Sequence, residues 1–272
     1  MGASMPPLKG EPAIWLENVS KSFDRGRTLA VERLDLAVQA GEFLVVIGGS
    51  GSGKSTTLRM INRLIEPDAG AIMVHGRNVL DCGPEDLRRG IGYVIQGIGL
   101  FPHLTVSENI TITPKLLGLA KEARRARAHV LLAMTGLDPT EYADRFPSAL
   151  SGGQRQRVGF ARALAAQPKI VLMDEPFGAL DPMTRESLAA TYRALHTEFS
   201  LTTVMVTHDM MEALTLADRI AVMNEGELIA CAPPIELLAS DQAYVRDLLA
   251  APLQRAERID ALLARAGAVR HG

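Results

Sequence analysis

Eight consecutive residues constrain this chain more than any others: Gly48-Gly49-Ser50-Gly51-Ser52-Gly53-Lys54-Ser55. They fit the pattern G-x-x-x-x-G-K-[ST], with Gly48, Gly53, Lys54 and Ser55 at the fixed positions. The apolar run Phe43 to Ile47 just before reads as a buried strand, and the periodic segment Thr56 to Leu64 just after reads as a helix. Glycines at such a junction let backbone N–H groups curl around a phosphate, and the helix N-terminus adds the positive end of its dipole. Lys54 then reaches the β- and γ-phosphates of a nucleotide, and the Ser55 hydroxyl takes a Mg²⁺ position. A flexible glycine-serine loop could match by accident. It would lack the strand before it and the helix after it.

The rest of the chain supplies a matching scaffold. Ile14 to Phe23 and Thr28 to Val38 alternate apolar and polar residues and read as antiparallel strands turning at Asp24-Arg25-Gly26. Pro67 to Gly70 ends the first helix, and Ala71–Val79 is a short strand pair around His75-Gly76. Ile91–Ile95 is a strand stopping at Gln96-Gly97-Ile98-Gly99. Residues from about 98 to 165 then read as helices: Thr105–Leu117, Lys121–Met134 and Gly152–Ala166. Arg124, Arg125 and Arg127 in the second of these read as a solvated face. Strands and helices alternate again from Lys169: strand 169–173, helix Pro182–Phe199, strand Thr202–Thr207, helix Met210–Ala217 and hairpin Ile220–Cys231. This alternation predicts an α/β fold with a mainly parallel sheet. Two short helical patterns, Ile235–Leu238 and Gln242–Leu249, follow Pro233-Pro234, and Arg255 to Arg265 reads as a terminal amphipathic helix. Residues 1–12 read as disordered and 236–272 as a short helical extension.

Bulk properties narrow the setting. A net charge of -2 across 272 residues gives no reason to expect a nucleic-acid surface. Cys82 and Cys231 stand in no metal-ligand spacing and suggest a reducing compartment. No apolar run is long enough to span a bilayer, and the N-terminus has no hydrophobic signal region, so a cytosolic globular protein is expected.

Two further stretches carry chemistry. Ile170 to Met173 is an apolar strand delivering Asp174 and Glu175 at its C-terminal end, where phosphoryl-transfer folds present a metal ligand and a base. Asp174 is assigned to Mg²⁺, and Glu175 to the proton of the attacking water. Leu150-Ser151-Gly152-Gly153-Gln154 opens a helix that Ser151 can cap, leaving the glycine amides open to an anion. Physics alone leaves a plain capped helix equally acceptable there.

Resemblance separates those readings. Leu-Ser-Gly-Gly-Gln between the two nucleotide motifs is the signature of ATP-binding cassette proteins, which this chain resembles over about residues 13–235. The resemblance implies a P-loop NTPase fold: a RecA-like core, an antiparallel β subdomain and a helical signature subdomain. Phe23 matches the aromatic that stacks on adenine, the alternative being a core strand aromatic. Gly48, Ser50, Gly51, Ser52, Gly53, Lys54, Ser55 and Thr56 match the phosphate loop. Gln96 matches the Q-loop glutamine, which touches Mg²⁺ and the attacking water; Gly178-Ala179-Leu180-Asp181 matches the D-loop. His208 matches the switch histidine on the γ-phosphate. Ser151, Gly152, Gly153, Gln154 and Asp181 would reach nucleotide across a dimer seam.

Finer resemblance points to the transport class. Asp174-Glu175-Pro176-Phe177 is similar to importer cassettes, and Gly92-Tyr93-Val94-Ile95-Gln96 with Gly99-Leu100-Phe101-Pro102-His103 resembles those of osmoprotectant importers for glycine betaine, choline or related quaternary amines. Gly97 departs from the pattern, which more often has Gln. Many relatives continue into paired CBS domains; only a short stretch follows Pro234, so sensing by such domains is not expected. The family's mechanism implies ATP and Mg²⁺ and a head-to-tail homodimer in the ATP-bound state. It also implies a membrane permease partner at the cytoplasmic face and a substrate-binding protein reached indirectly. Importers of other solutes (amino acids, polyamines) and exporters share these motifs and remain alternatives. A DNA-repair cassette would carry a long coiled coil, and a translation-factor cassette two copies; this sequence has neither.

Overall fold

The computed structural model describes residues 11–24, 26–178 and 180–270, with side chains described through residue 250 and at 252–254, 258, 259 and 262. Residues 1–10 of the stretch 1–12 expected to be disordered, the turn residue Arg25, Ala179 and residues 271–272 lie outside the described residues. In chain order the strands are β1 (Ile14–Ser22), β2 (Leu29–Val38), β3 (Phe43–Gly48), β4 (Ala69–Val74), β5 (Arg77–Asn78), β6 (Ile91–Val94), β7 (Ile170–Asp174), β8 (Thr202–Val206), β9 (Arg219–Asn224) and β10 (Glu227–Ala232). The helices are α1 (Lys54–Ile61), α2 (Pro84–Arg89), α3 (Val106–Ile110), α4 (Ile112–Leu116), α5 (Lys121–Met134), α6 (Pro139–Tyr142), α7 (Gly152–Leu164), α8 (Pro182–Glu198), α9 (Met210–Leu216), α10 (Pro234–Leu238) and α11 (Ala243–Arg270).

Two sheets organise the chain. One has the order β2-β1-β4-β5 and is antiparallel; the other has the order β10-β9-β3-β8-β7-β6. In the second, β9, β3, β8, β7 and β6 run parallel and β10 closes a hairpin on β9. Its central strands β3, β8 and β7 are buried along their whole length because both faces are covered. Alternation along β3 shows the two sides: Phe43, Val45 and Ile47 enter one buried cluster with α7, α8 and α9, while Leu44 and Val46 enter another with α1 and the antiparallel sheet. The segment β7 divides the same way, Val171 and Met173 against Ile170 and Leu172.

Helices α3 to α7 fall between β6 and β7 in the chain. The Thr105 hydroxyl and the Glu108 carboxylate form a reciprocal capping box on α3. Fully buried Asn109 then donates to the carbonyls of Phe101, Leu104 and Thr105 and accepts from Phe101 N–H at 2.8 Å, fastening the Phe101–Leu104 loop. The ring of Phe160 on α7 packs against Phe177 and Tyr192, at 5.8 and 5.2 Å between centroids, joining the helical region to the core.

Several elements differ from the sequence expectation. Helix α1 begins at Lys54, two residues early, because Gly53 in a left-handed conformation already turns the chain into the helix. It ends at Ile61, since Arg63 adopts φ 47° and breaks the periodicity; Ala69-Gly70 begins β4 and does not end the helix. The expected helix Thr105–Leu117 is broken at Thr111, whose φ of −98° and ψ of 16° leave the helical path. Helices α2 and α6 were not legible in the sequence, being short and opened by Pro84 and Pro139. The pattern expected at Gln242–Leu249 and the one at Arg255–Arg265 belong to a single helix, α11, that continues through Pro252. Most side chains of the second pattern lie outside those described. Arg127 is not on a solvated face: it donates to the carbonyls of Leu164 and Ala165 at the end of α7, an anchor that half-buries it.

Leu172 is fully buried at the centre of β7, where truncation leaves a cavity in the core. Leu172→Ala is expected to destabilise by roughly 2–5 kcal/mol, read as a lower urea midpoint at unchanged m-value.

Candidate nucleotide site

Three parallel strands end level with one another. Val46 of β3 pairs with Val206 of β8, and Val206 pairs with Asp174 of β7. The chain leaves β3 into the glycine loop, β7 into Glu175 and β8 into Thr207-His208, so the three stretches meet at the C-terminal edge of the sheet.

The loop itself requires glycine at two points. A Cβ on Gly48 (φ 153°) would stand 2.1 Å from the Met223 carbonyl oxygen, and one on Gly53 (φ 98°) 2.3 Å from that of Ala30. No side chain caps α1 and no acid occupies its first turn, which leaves its first amides available to an anion. Ser50 and Gly51 are exposed at the crown, Ser52 and Lys54 are buried, and Ser55 and Thr56 are half-buried in the first turn. Lys54 folds back over the loop, its Nζ donating to the carbonyls of Gly48 at 2.9 Å and Gly49 at 2.7 Å and to Ser52 Oγ at 3.3 Å. Burial pulls the Lys54 ammonium below the usual lysine range, and the charges of Glu175 and Asp174 oppose that shift.

Both acids are engaged. Asp174, 2% exposed, accepts a hydrogen bond from Ser55 Oγ at 2.8 Å and pairs with Arg59 at 3.4 Å. Arg59 sits four residues after Ser55, on the same face of α1. That spacing is readable from the sequence. Glu175 holds the left-handed φ of 47°, uncommon for a residue with a side chain, while its N–H donates to Val206 O at 2.9 Å. Its Oε2 accepts from Gln96 Nε2 at 3.1 Å, and its Oε1 lies 3.2 Å from His208 Nδ1. Gln96, Glu175 and His208, from three different loops, therefore form one chain of polar contacts beside the glycine loop.

The supports behind these groups are specific. Gly97, Ile98 and Gly99 all have positive φ, of 80°, 71° and 55°, and for a β-branched residue such as Ile98 this is strained. Arg162 of α7 holds the turn, donating to the carbonyls of Ile98 and Gly99 at 2.7 Å each. Burial pushes that guanidinium down, and among the described residues no carboxylate pairs with it. Asp209 caps α9 through the N–H groups of Met211 and Glu212, and Arg185 of α8 pairs with Asp209 at 3.1 Å, fixing the turn that carries His208. Nothing in the sequence pointed to Arg162 or Arg185.

The second half of the expected set stands apart. Ser151 and Gln154 form a capping box on α7, with Ser151 Oγ accepting from Gln154 N–H and Gln154 Oε1 accepting from Ser151 N–H. The Ser151 hydroxyl keeps its own proton free to donate. Gln154 Nε2 donates to the Tyr142 hydroxyl at 3.0 Å, so both ends of that side chain are engaged within the chain. Gly152 has open space around it. Asp181 caps α8 by accepting from Thr184 N–H at 3.0 Å, hydrogen bonding that holds its carboxyl below the usual range. A cavity of about 390 Å³ lies against Ser151–Gln154, Arg157, Leu180, Asp181 and Thr184 and shares no lining residue with the glycine loop. Phe23 is 64% exposed, with Lys21 Nζ 5.7 Å from its ring centroid, and so is not a core aromatic.

Comparison with known proteins gives the arrangement its family. The sequence profile described as ABC transporter matches residues 31–178. The chain belongs to the ABC transporter family. Over 223 residues this cassette is 52% identical to the choline transport ATP-binding protein OpuBA of Bacillus subtilis (strain 168), an alignment covering 82% of this chain and 58% of that protein. It is 48% identical over 225 residues to the glycine betaine uptake system ATP-binding protein YehX of Escherichia coli (strain K12), covering 83% and 72%. The chain thus spans less than two thirds of the length of OpuBA. Among solved structures, the ATP-binding cassette MJ0796, a dimer in a post-hydrolysis state bound to ADP and Pi, superposes with a TM-score of 0.73 at 36% identity, covering 81% of this chain and 98% of that one. The cassette fold expected from the motifs is the fold observed. Among the described residues no helix is long and apolar enough to cross a membrane.

Arg162→Met is expected to release the strained turn while leaving the core intact. Amide hydrogen exchange at Gln96–Gly99 should quicken several-fold, with β7 and β8 unchanged; equal exchange in both proteins would show that the turn holds itself.

Proposed function

We propose that this chain is the ATP-hydrolysing subunit of an importer for a small osmoprotectant of the quaternary amine type, such as glycine betaine or choline. One observation carries the catalytic part: Glu175, at the end of β7, touches both Gln96 and His208 beside a phosphate loop whose Ser55 is bonded to Asp174. The donor set of Ser55 hydroxyl, Asp174 carboxylate and Gln96 amide oxygen is all hard oxygen and suits Mg²⁺. Bound there, Mg²⁺ would offset charge on the β- and γ-phosphates.

The chain's own residues divide the remaining work. The free amides of α1 and the loop bind phosphate oxygens, and Lys54, keeping the Gly48 carbonyl, turns its donors from Gly49 and Ser52 to the β- and γ-phosphates. Glu175, freed from one of its two partners, accepts the proton of the attacking water. His208 orients the γ-phosphate, and Phe23, already exposed, stacks on adenine. Ser151, Gly152 and Gly153 act on the nucleotide of a second copy, since their cavity lies away from this chain's loop. Phosphoryl transfer depends mostly on positioning and charge stabilisation, so a site short of half its donors is slow until a second copy closes over it.

The quaternary amine assignment draws on the Gly92–His103 pattern and on the names of OpuBA and YehX, which print choline and glycine betaine. The partners are a homodimeric copy at the cytoplasmic face of the membrane and a permease met near Gln96–His103. A substrate-binding protein acts through that permease.

Glu175→Gln should keep ATP binding while lowering kcat by about 10²–10⁴-fold, and ATP should trap the variant as a dimer on size-exclusion chromatography. Undiminished steady-state hydrolysis would remove Glu175 as the base.

A further inference from the structure

Helix α11 lies outside the matched family segment, yet it touches the glycine loop. Val245 and Leu249 bury it against the core, at 1% and 3% exposure, and Tyr244 stands at its first turn. The Tyr244 hydroxyl accepts a hydrogen bond from the N–H of Gly49 at 3.2 Å, across 195 residues of sequence.

That N–H belongs to the same peptide unit as the Gly48 carbonyl, which accepts from Lys54 Nζ at 2.9 Å. The peptide plane is therefore held at both edges, by a phenol on its N–H and by the ammonium on its C=O. Glycine flanks the plane on each side, so no side chain resists its rotation. Turned over, it would present an N–H to the Lys54 ammonium and withdraw one of the lysine's two carbonyl anchors. A carbonyl facing the ammonium keeps Lys54 in the loop, ready for phosphate.

We propose that Tyr244 is a positioning residue for the phosphate loop: by fixing the Gly48–Gly49 peptide it presets Lys54, and through it α11 sets the affinity for nucleotide. This rests on reading Gly48–Ser55 as the nucleotide site. It adds the C-terminal helix to that site, so any shift of α11 is felt at the loop.

Tyr244→Phe deletes the hydroxyl and keeps the ring. Titration of the full chain with a fluorescent ATP analogue should show a Kd raised about three- to tenfold, the worth of one neutral hydrogen bond. The kcat at saturating ATP should stay within about twofold, and the melting temperature without nucleotide should fall by no more than about four degrees, the share of that one bond. Tyr244→Ala should give the same rise in Kd together with a lower melting temperature, from lost packing. An unchanged Kd in Tyr244→Phe would overturn the proposal, and so would a Kd that rises only with a matching loss of thermal stability. Lys54→Ala serves as the control: if it binds the analogue as tightly as the parent chain, the nucleotide-site reading itself fails.

Discussion

The site depends on three parallel strands that stop at the same level. Because Val46, Val206 and Asp174 lie in one row across β3, β8 and β7, the next residue or two of each strand must meet at the sheet edge. Ser55 then reaches Asp174, and Glu175 reaches His208, without any long side-chain extension. The row is held by burial on both faces, since each strand contributes to two apolar clusters at once. A slip of one residue would exchange the two faces and remove the acids from the loop together.

Much of this was legible in the sequence, for identifiable reasons. Glycine loops, acid pairs after apolar strands and capped helices are local patterns, and each fell where expected. The parallel sheet followed from alternation of strands and helices. What failed was governed by contacts far apart in sequence or by single backbone angles. The end of α1 turns on the left-handed Arg63, and the break at Thr111 on one departure from helical angles. Arg127 looked solvated because charge pattern alone cannot show the carbonyls of Leu164 and Ala165 that it meets. The hold of Arg162 on Ile98 and Gly99 spans about sixty residues and leaves no periodic trace. Gln154 and Asp181, expected to reach nucleotide across a dimer seam, cap α7 and α8 within this chain.

Those caps bear on how the two halves of the site cooperate. A serine whose oxygen is occupied by Gln154 N–H still has a proton to donate, and its helix N-terminus points open amides outward. Its cavity has no wall in common with the glycine loop. Two helices, α1 and α7, thus present their positive ends from separate places on one chain. In the proposed mechanism these surfaces become neighbours only when two copies pair head to tail, each lending Ser151 to the other's Lys54.

That claim is open to one direct measurement. Chains carrying Ser151→Arg and chains carrying Lys54→Ala, each inactive alone, are mixed in varying ratio and steady-state ATP hydrolysis is recorded. The shared-site account predicts activity that peaks near equal amounts, because a mixed pair holds one intact Lys54 facing one intact Ser151. No hydrolysis at any ratio, with mixed pairs shown to form, would contradict it.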